Sequence, residues 1–270
     1  TMEELFTVDQ YVERNAFSEY SSEGEIFQAP SCPFRLVESP PHFGGDSVPL
    51  GAHNPLWARE TSTADDARGF NGSHSMAELD RGNTPGPLRG LLIVDLSMGW
   101  AGPLATRNLA DMGATVIKIE GCTRFDWFRS WEATEEWINS NGAEKEVRFI
   151  NLNRNKLDVT LDLASKAGRE LLLRLVGQAD AVIENFSGGV LPKLNLNYLV
   201  LCQENPQLVM VSMPAFGATG PWAAFRAYGS TVEQSAGLTH LQGSDHTPPT
   251  MLHVALGAAI AGLYGTPAHL

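Results

Sequence analysis

The sequence predicts an α/β fold in which helices cover both faces of a mostly parallel sheet. From residue 88 onwards, apolar runs of strand length alternate with segments of helical periodicity. Such alternation is typical of chains built from βαβ units. The strand-like runs are almost continuously apolar, which indicates strands that are buried on both faces.

The first predicted strand covers residues 90–97, which read Gly-Leu-Leu-Ile-Val-Asp-Leu-Ser. A helix over 103–112 should follow, with Pro103 in its first turn and Gly113 just past its end. Further strands and helices are predicted in alternation: strands 115–120, 159–163, 181–184 and 208–212, and helices 166–178, 196–204, 231–241 and 254–264.

The residues before position 88 differ from this region in composition and periodicity, so we divide the chain into 1–58, 59–87 and 88–270. Residues 59–87 are polar, rich in Gly and Ser and without apolar periodicity, which indicates a flexible linker. The first 58 residues are rich in Pro and too few to bury a core alone. Within them we expect a helix over 7–17 and strands at 25–27 and 34–37.

Composition narrows the classes of function. A formal net charge of −12 argues against a nucleic acid partner, which requires clustered Lys and Arg. The 3 cysteines lie far apart, without disulfide or metal-ligand spacing, so we expect no metal site and a cytoplasmic location. No apolar run reaches the roughly 18 residues that span a membrane, so we expect no membrane association.

The turn after the first strand, Ser97-Met-Gly-Trp-Ala-Gly-Pro103, places backbone N–H groups at a helix N-terminus. Such a turn can bind an anion. Together with Glu120 at the end of the second strand, it resembles half of a Rossmann-like nucleotide site and leaves open an NAD(P)-dependent oxidoreductase. However, the glycine fingerprint of dinucleotide enzymes is absent, and Gly99 and Gly102 could serve only to permit a tight turn.

Motifs over residues 88–265 resemble the class III CoA-transferase family, which includes formyl-CoA transferase, carnitine CoA-transferase and alpha-methylacyl-CoA racemase. They occur in the family's order: Pro87-Leu-Arg-Gly-Leu-Leu-Ile-Val-Asp-Leu, Ala101-Gly-Pro-Leu-Ala-Thr, Leu109-Ala-Asp-Met-Gly-Ala-Thr-Val-Ile-Lys-Ile-Glu, Asn153-Arg-Asn-Lys with Thr160-Leu-Asp-Leu, Ala179-Asp-Ala-Val-Ile-Glu-Asn-Phe, Phe216-Gly-Ala-Thr-Gly-Pro and Gln234-Ser-Ala-Gly-Leu.

This resemblance implies a part of the family's interlocked fold that binds CoA as a substrate, without a permanent cofactor. The implied reaction moves CoA from an acyl-CoA to a carboxylic acid. The resemblance also implies CoA contacts for six residues: Ala101, Gly102, Arg129, Lys156, Asn185 and Phe186. We expect Lys156 to be an exposed cation that reaches the CoA phosphates.

The catalytic position departs from the family pattern. Relatives carry a nucleophilic Asp shortly before Gln-x-x-Gly, but this chain has Gly229 or Ser230 there. The racemase branch uses another Asp, at the position of Ala258. Glu233 lies one helical turn after Gly229 and is the candidate substitute, unless it is only a solvent-facing or helix-pairing residue. The alternatives are therefore an active transferase module and a catalytically silent half that binds CoA and supports an active partner.

The first 58 residues resemble the other end of the same family, through Val12-Glu-Arg-Asn-Ala-Phe and Val48-Pro-Leu-Gly-Ala-His-Asn. This implies a fragment of a tandem protein, in which the tail of one module precedes the head of the next. Because family members form interlocked dimers, we expect a homodimer or a tandem partner module.

Overall fold

The computed structural model describes residues 3–22, 25–32, 86–121, 125–130, 134–243, 246–252 and 254–269. The predicted strand at 34–37 and nearly all of the predicted linker lie outside these ranges. The chain forms two compact units, one made of Thr1–Asn15 with Arg81–Leu270 and the other of Ala16–Asp80. The division of the chain at residues 58 and 87 stays a prediction.

The smaller unit contains an antiparallel hairpin of β1 (Phe17–Ser22) and β2 (Glu25–Pro30). Tyr20 and Phe27 lie directly opposite each other and stack with ring centroids 6.0 Å apart. The strand predicted at 25–27 is thus confirmed and longer. The helix predicted over 7–17 is shorter, because Asn15 has a left-handed backbone with φ of 50° and ends it.

The larger unit contains a five-stranded sheet in the order β5-β4-β3-β6-β7, in which every pair is parallel. The strands are β3 (Leu92–Asp95), β4 (Thr115–Glu120), β5 (Lys156–Thr160), β6 (Ala181–Glu184) and β7 (Val209–Ser212). Helices flank this sheet, which confirms the predicted α/β class.

Ten α-helices and four 3-10 helices are present in the described residues. The α-helices are α1 (Asp9–Glu13), α2 (Ala101–Asp111), α3 (Glu135–Asn139), α4 (Val147–Asn153), α5 (Lys166–Val176), α6 (Val190–Lys193), α7 (Tyr198–Glu204), α8 (Gly229–Ser235), α9 (Leu238–Leu241) and α10 (Leu256–Gly265). The 3-10 helices are Glu3–Thr7, Trp127–Ser130, Gly142–Glu144 and Pro267–His269.

Two predicted elements are wrong in their bounds for local reasons. The strand predicted at 159–163 runs from Lys156 to Thr160, because Asp162 and Ser165 form the capped start of α5. The helix predicted over 231–241 is interrupted at Gly237, whose φ of 75° is a left-handed conformation that favours glycine.

The sheet core lies beneath α2, and α10 packs against α2. Ile93 and Ile183 contact Leu109 and Ala110 in this core. Helix α10 approaches α2 closely at Gly262, where an added Cβ would lie 2.7 Å from the Ala101 carbonyl oxygen. The small residues of α10 therefore fix its distance from the start of α2.

Candidate functional site

The turn between β3 and α2 is held in place by three side chains, one from the end of β3 and two from later in the chain. The backbone N–H groups of Ser97, Met98 and Gly99 each donate to a side-chain oxygen. The acceptors are, in that order, Asp95 Oδ1 at 2.9 Å, Asn185 Oδ1 at 2.9 Å and the two carboxylate oxygens of Asp126 at 3.1 and 3.0 Å. The expectation that these N–H groups are free to bind an anion is therefore wrong for these three residues.

The N–H groups of Ala101 and Gly102 come next, in the first turn of α2, where a helix has no intrahelical acceptor. Asn185 follows the neighbouring strand β6 and bonds both backbone groups of Met98. Its Oδ1 accepts from the Met98 N–H, and its Nδ2 donates to the Met98 carbonyl at 2.8 Å. An added Cβ at Gly102 would lie 2.2 Å from the Ser97 Cβ and 3.4 Å from the Asn185 Cγ. The structure thus brings Ala101, Gly102 and Asn185 together at one edge of the sheet.

Phe186 follows Asn185 directly and is half-buried. Its N–H donates to Glu184 Oε2 at 2.8 Å, which fixes the course of the chain as it leaves β6. Burial raises the pKa of Glu184, against the hydrogen bonds from Ser212 and from the Phe186 N–H. The backbone that leaves β6 is therefore held by a hydrogen bond, next to the β3–α2 turn.

Two buried lysines lie under the turn and neutralise its two buried aspartates. Lys118 Nζ donates to the Ser97 carbonyl at 2.8 Å and pairs with Asp126 Oδ2 at 3.1 Å. Lys156 Nζ pairs with Asp95 Oδ2 at 3.0 Å. All four side chains are at most 1% exposed, so each charge depends on its partner for compensation.

The expectation that Lys156 is exposed is wrong. Its side chain is 1% exposed, and its ammonium group donates to Asp95, to the Pro103 carbonyl at 3.0 Å and to Asn153 Oδ1 at 2.8 Å. An ammonium group has three N–H donors, and all three have acceptors here. The CoA contact of Lys156 stays a prediction, while its observed contacts lie between the sheet and α2.

The pKa values of Asp95 and Lys156 are shifted by burial and by the charge of the partner. Burial alone would raise the pKa of Asp95, but the ammonium groups of Lys156 and Lys118 outweigh it and hold that pKa well below its usual range. Burial lowers the pKa of Lys156 to about 8, with Lys118 adding to the decrease and Asp95 opposing it. At neutral pH the pair is therefore ionic.

Arg129 lies in a second charged cluster, at the end of β4. Its guanidinium contacts Glu120 at 2.8 Å, Asp158 at 3.0 Å and Glu144 at 3.2 Å, and it covers the Phe149 ring at 3.5 Å from the centroid. Burial and the nearby Glu120 carboxylate raise the pKa of Asp158 to about 6. Three carboxylates thus surround Arg129, and its predicted CoA contact stays a prediction.

Glu120 is engaged in the same cluster. It accepts hydrogen bonds from Arg129 Nε at 2.8 Å and from the Asp126 N–H at 2.6 Å. A ribose-binding carboxylate in a dinucleotide enzyme must face its ligand. The bonding of Glu120 therefore removes the main support for the oxidoreductase alternative.

The positions that the family resemblance predicts to be catalytic lie where α8 packs against α10, at a contact between small residues. A Cβ added at Gly229 would lie 2.7 Å from the Ala255 Cβ and 3.0 Å from the Ala258 N. Across the same contact, a Cβ at Gly257 would lie 3.1 Å from the Gly229 carbonyl oxygen. We call these four residues, Gly229, Ala255, Gly257 and Ala258, the α8–α10 seam; it has no room for a larger side chain at 229.

Glu233 is buried beside this seam, with 3% of its surface exposed. Its Oε1 accepts from the Gly257 N–H at 2.9 Å, in the first turn of α10, where the N-cap residue Ala255 provides no side-chain cap. Its Oε2 is buried and has no hydrogen-bond partner among the described residues. Glu233 is therefore not solvent-facing, and its contact with α10 fits the alternative of a helix-pairing residue that caps α10. Its catalytic role stays a prediction.

Asp95, Lys118 and Asp126 belong to the site but were not predicted from the sequence. Asp95 ends a strand that is otherwise apolar, and Lys118 is flanked by Ile117 and Ile119 in a buried strand. A charge at such a position requires a buried partner, and that signal could have identified both residues. Asp126 lies six residues after the end of β4, and no sequence pattern indicates that it contacts the turn.

Metal sites and membrane spans are both absent from the described part of the chain. Among those residues there is no cluster of three His, Cys, Asp or Glu side chains that could hold a metal ion. The same residues contain no helix of the length and apolarity that crossing a membrane requires.

Comparison with known proteins places these features in a family. Residues 88–270 match the family described as CoA-transferase family III. An acyl-CoA transferase of Fusarium pseudograminearum is 35% identical over 195 residues, which cover 71% of this chain and 42% of that protein. A succinate–glutarate CoA-transferase of Agrobacterium fabrum is 36% identical over 191 residues, covering 70% of this chain and 47% of that protein.

Among solved structures, a CAIB/BAIF family protein from Brucella suis superposes with a TM-score of 0.62 at 37% identity. That alignment covers 69% of this chain and 48% of the Brucella chain. The chain thus spans less than half the length of these relatives. Both its sequence and its parallel sheet show that the chain belongs to CoA-transferase family III.

Proposed function

We propose that the protein transfers CoA between an acyl-CoA and a carboxylic acid, and that this chain binds the CoA thioester. The observation that carries the proposal is the β3–α2 turn, which is tightly held and lies within the residues that match the family. Relatives named as CoA-transferases for succinate, glutarate and oxalate support a thioester and a carboxylic acid as substrates.

The first turn of α2 and the exit of β6 are the proposed contact surface for CoA, through Ala101, Gly102, Asn185 and Phe186. A helix N-terminus favours negative charge, and CoA carries phosphates. Lys156 and Arg129 support this surface from below, by holding Asp95 and Glu120 in place. CoA is a substrate in this scheme, and no permanent cofactor is required.

A catalytically silent role for this chain is the second candidate, and the geometry of Glu233 favours it. A nucleophilic carboxylate must reach the thioester carbonyl carbon, yet Glu233 is 3% exposed and bonded to α10. The family's alternative positions carry Gly229, Ser230 and Ala258, none of which has a carboxylate. In this case the chain binds CoA and supports an active module elsewhere.

The CoA-binding proposal is tested by isothermal calorimetry with CoA and, separately, with NADH. We expect CoA to bind and NADH not to bind. Gly102→Leu should abolish CoA binding, because the added side chain overlaps Ser97 and Asn185. Gly189→Leu is the matched control, since nothing lies within 4 Å of a Cβ at that position. Binding of NADH without binding of CoA would contradict the proposal.

We also propose that the chain works with a second module in the cytoplasm, either as a homodimer or beside a tandem partner. The resemblance of residues 1–58 to the far end of the family, ahead of the family match over residues 88–270, supports this. In this arrangement residues 1–58 are the tail of a preceding module. Sedimentation velocity on the purified protein tests the proposal, and a monomer at micromolar concentration would contradict the homodimer.

A further inference from the structure

Three aromatic side chains link the β3–α2 turn to the α8–α10 seam. Trp100 is the N-cap residue of α2, Trp127 begins the 3-10 helix after β4, and Tyr228 is the N-cap residue of α8. We call these three residues the aromatic wall; all belong to the larger unit. Trp127 and Tyr228 meet edge to face, with ring centroids 6.1 Å apart. The wall therefore begins at the turn and ends next to Gly229.

Trp127 is fixed against the turn at Gly99. A Cβ added at Gly99 would lie 2.3 Å from Trp127 Cζ2, so only a glycine leaves room for the indole ring. The Asp126 carboxylate accepts both from the Gly99 N–H and from the Phe128 N–H, the latter at 3.0 Å. The residues on either side of Trp127 are thus joined by hydrogen bonds, and the same contacts that hold the turn set the position of the indole.

One side of the wall is packed and the other is exposed. Trp100 and Trp127 pack against a buried apolar cluster that Ala259 of α10 also contacts; its members are Leu104, Phe128, Phe149 and Leu152. Tyr228, by contrast, is 73% exposed although its ring contacts Trp127. The wall therefore has a rigid base at Trp127 and presents an aromatic surface at Tyr228.

The position of the wall indicates which part of a ligand it contacts. In the proposed function, the phosphates of CoA lie at the first turn of α2, and the thioester end extends towards the seam. Tyr228 directly precedes Gly229, where an added Cβ would lie 3.0 Å from the Ala258 N. The acyl group of a CoA thioester that reaches the seam therefore lies next to Tyr228.

The charges around the wall argue against a second carboxylate on this acyl group. The buried cations at the turn and at the end of β4, Lys118, Lys156 and Arg129, are all paired with carboxylates. A carboxylate that loses its water requires a cation or several N–H donors as compensation. Arg226 is the only cation in the sequence from 222 to 233, and it is exposed. It is thus the rival determinant that an experiment must exclude.

We propose that the aromatic wall is the acyl subsite, and that it selects acyl-CoAs whose acyl group carries an aromatic ring over those that end in a second carboxylate. An aromatic acyl group packs on the Tyr228 ring, which Trp127 supports from its other side. Tyr228 is the specificity-determining residue in this scheme, and Trp127 is a positioning residue. This inference rests on the proposed binding of CoA thioesters.

Calorimetry on the full protein with phenylacetyl-CoA and succinyl-CoA tests the proposal. The ratio of the two Kd values isolates the acyl group, because both ligands share the same CoA. We expect phenylacetyl-CoA to bind about tenfold more tightly, from ring packing and apolar burial. If CoA binds but succinyl-CoA binds as tightly as phenylacetyl-CoA or more tightly, the acyl subsite is overturned and the proposed function is not. If CoA itself does not bind, both are overturned.

Variants then assign the preference to one side chain. Tyr228→Ala should abolish the preference for phenylacetyl-CoA, whereas Tyr228→Phe, which keeps the ring, should retain it. Tyr198→Ala, at a tyrosine on α7 that is 46% exposed, is the matched control and should retain the preference. An unchanged ratio in Tyr228→Ala, or an equal loss in Tyr228→Phe, overturns the assignment to the Tyr228 ring.

Arg226→Gln tests the rival determinant. We expect this variant to keep the wild-type ratio of Kd values, because an aromatic acyl group makes no use of the guanidinium. If Arg226→Gln selectively weakens succinyl-CoA, the subsite supplies a cation for a second carboxylate, and the proposed selection against such acyl groups is overturned.

Discussion

The β3–α2 turn and the α8–α10 seam are the two halves of the candidate site, and they are built in opposite ways. The turn is polar: its N–H groups, two aspartates and two lysines are paired, at distances between 2.7 and 3.1 Å. The seam is made of glycines and alanines, and beside it lies a buried carboxylate oxygen without a partner among the described residues. In the half that we assign to CoA binding, the N–H groups of Ser97, Met98 and Gly99 are thus all bonded, while the half that would carry the nucleophile is closed by packing.

This difference indicates that the stability of the turn depends on charge compensation, whereas the stability of the seam depends on packing volume. A buried ion pair that loses one partner leaves an uncompensated charge, so the turn should tolerate little change. A seam of small residues is limited by volume, so it should respond to added atoms more than to lost charge. Substitutions can therefore test each half separately.

Lys118→Met should give the largest loss of stability. It removes the only lysine bonded to Asp126 in the described residues and leaves that carboxylate buried without its cation. We expect the free energy of unfolding to fall by about 3–5 kcal/mol, measured by urea denaturation. Lys166→Met, at a side chain that is 85% exposed, is the control and should change it by no more than about 0.5 kcal/mol.

The same measurement can show that charge rather than packing is responsible. Lys118→Met combined with Asp126→Asn removes both charges, so the double variant should recover part of the lost stability. If the double variant is as unstable as the sum of the two single variants, the ion pair does not hold the turn.

Gly229→Ala should give an intermediate effect at the seam. The added methyl overlaps Ala255, so we expect a loss of about 1–3 kcal/mol, although alanine usually stabilises a helix relative to glycine. Gly177→Ala is the control, because its Cβ would make only ordinary contacts of 3.5 Å or more. Adding Ala255→Gly to Gly229→Ala should restore stability, and a failure to do so would mean that the seam is not closed by this contact.

Asp158→Asn should give the smallest effect, visible in the pH dependence of stability. The pKa of Asp158 is raised to about 6 in the folded protein, against about 4 for an unfolded Asp. Between pH 4 and 6 the folded state binds more protons, so this group's contribution to the free energy of unfolding decreases as pH rises through that window. The wild type should therefore exceed the variant by more at pH 4.5 than at pH 7. An equal difference at both pH values would contradict this assignment.

The sequence predicted the sheet well where burial controls the pattern. Strands β4 and β6 begin and end at the predicted residues, because both are short, mostly apolar and buried runs. The prediction failed at β5, an edge strand whose residues are mostly exposed and carry no apolar run. The end of β5 is set by Asp162 and Ser165, which accept hydrogen bonds from backbone N–H groups at the start of α5. These hydrogen bonds form only once the backbone is folded.

The candidate site was predictable only in part. Ala101, Gly102 and Asn185 do lie together, as their positions after neighbouring parallel strands require. Burial of Lys156 was not foreseen, because it depends on the reach of a long side chain under α2 to Asp95, a contact between residues 61 positions apart. The cap formed by Glu233 likewise depends on the crossing of α8 and α10, which no local pattern specifies.

The contrast between a bonded turn and a closed seam is tested most directly by trapping a covalent intermediate. If Glu233 is a nucleophile, its carboxylate attacks the thioester carbonyl carbon and CoA thiolate leaves. The thiolate then attacks the glutamyl carbonyl, the acyl carboxylate leaves, and a glutamyl-CoA thioester results.

Borohydride reduces such a thioester to an alcohol, which peptide mass mapping detects. The protein is incubated with succinyl-CoA and borohydride, with the Agrobacterium fabrum relative treated in parallel to show that trapping works. We predict that the protein binds CoA and that the peptide containing Glu233 is unmodified, because this carboxylate is buried and caps α10. An adduct mapped to Glu233 would contradict the account and would make this chain a complete catalyst in its own right.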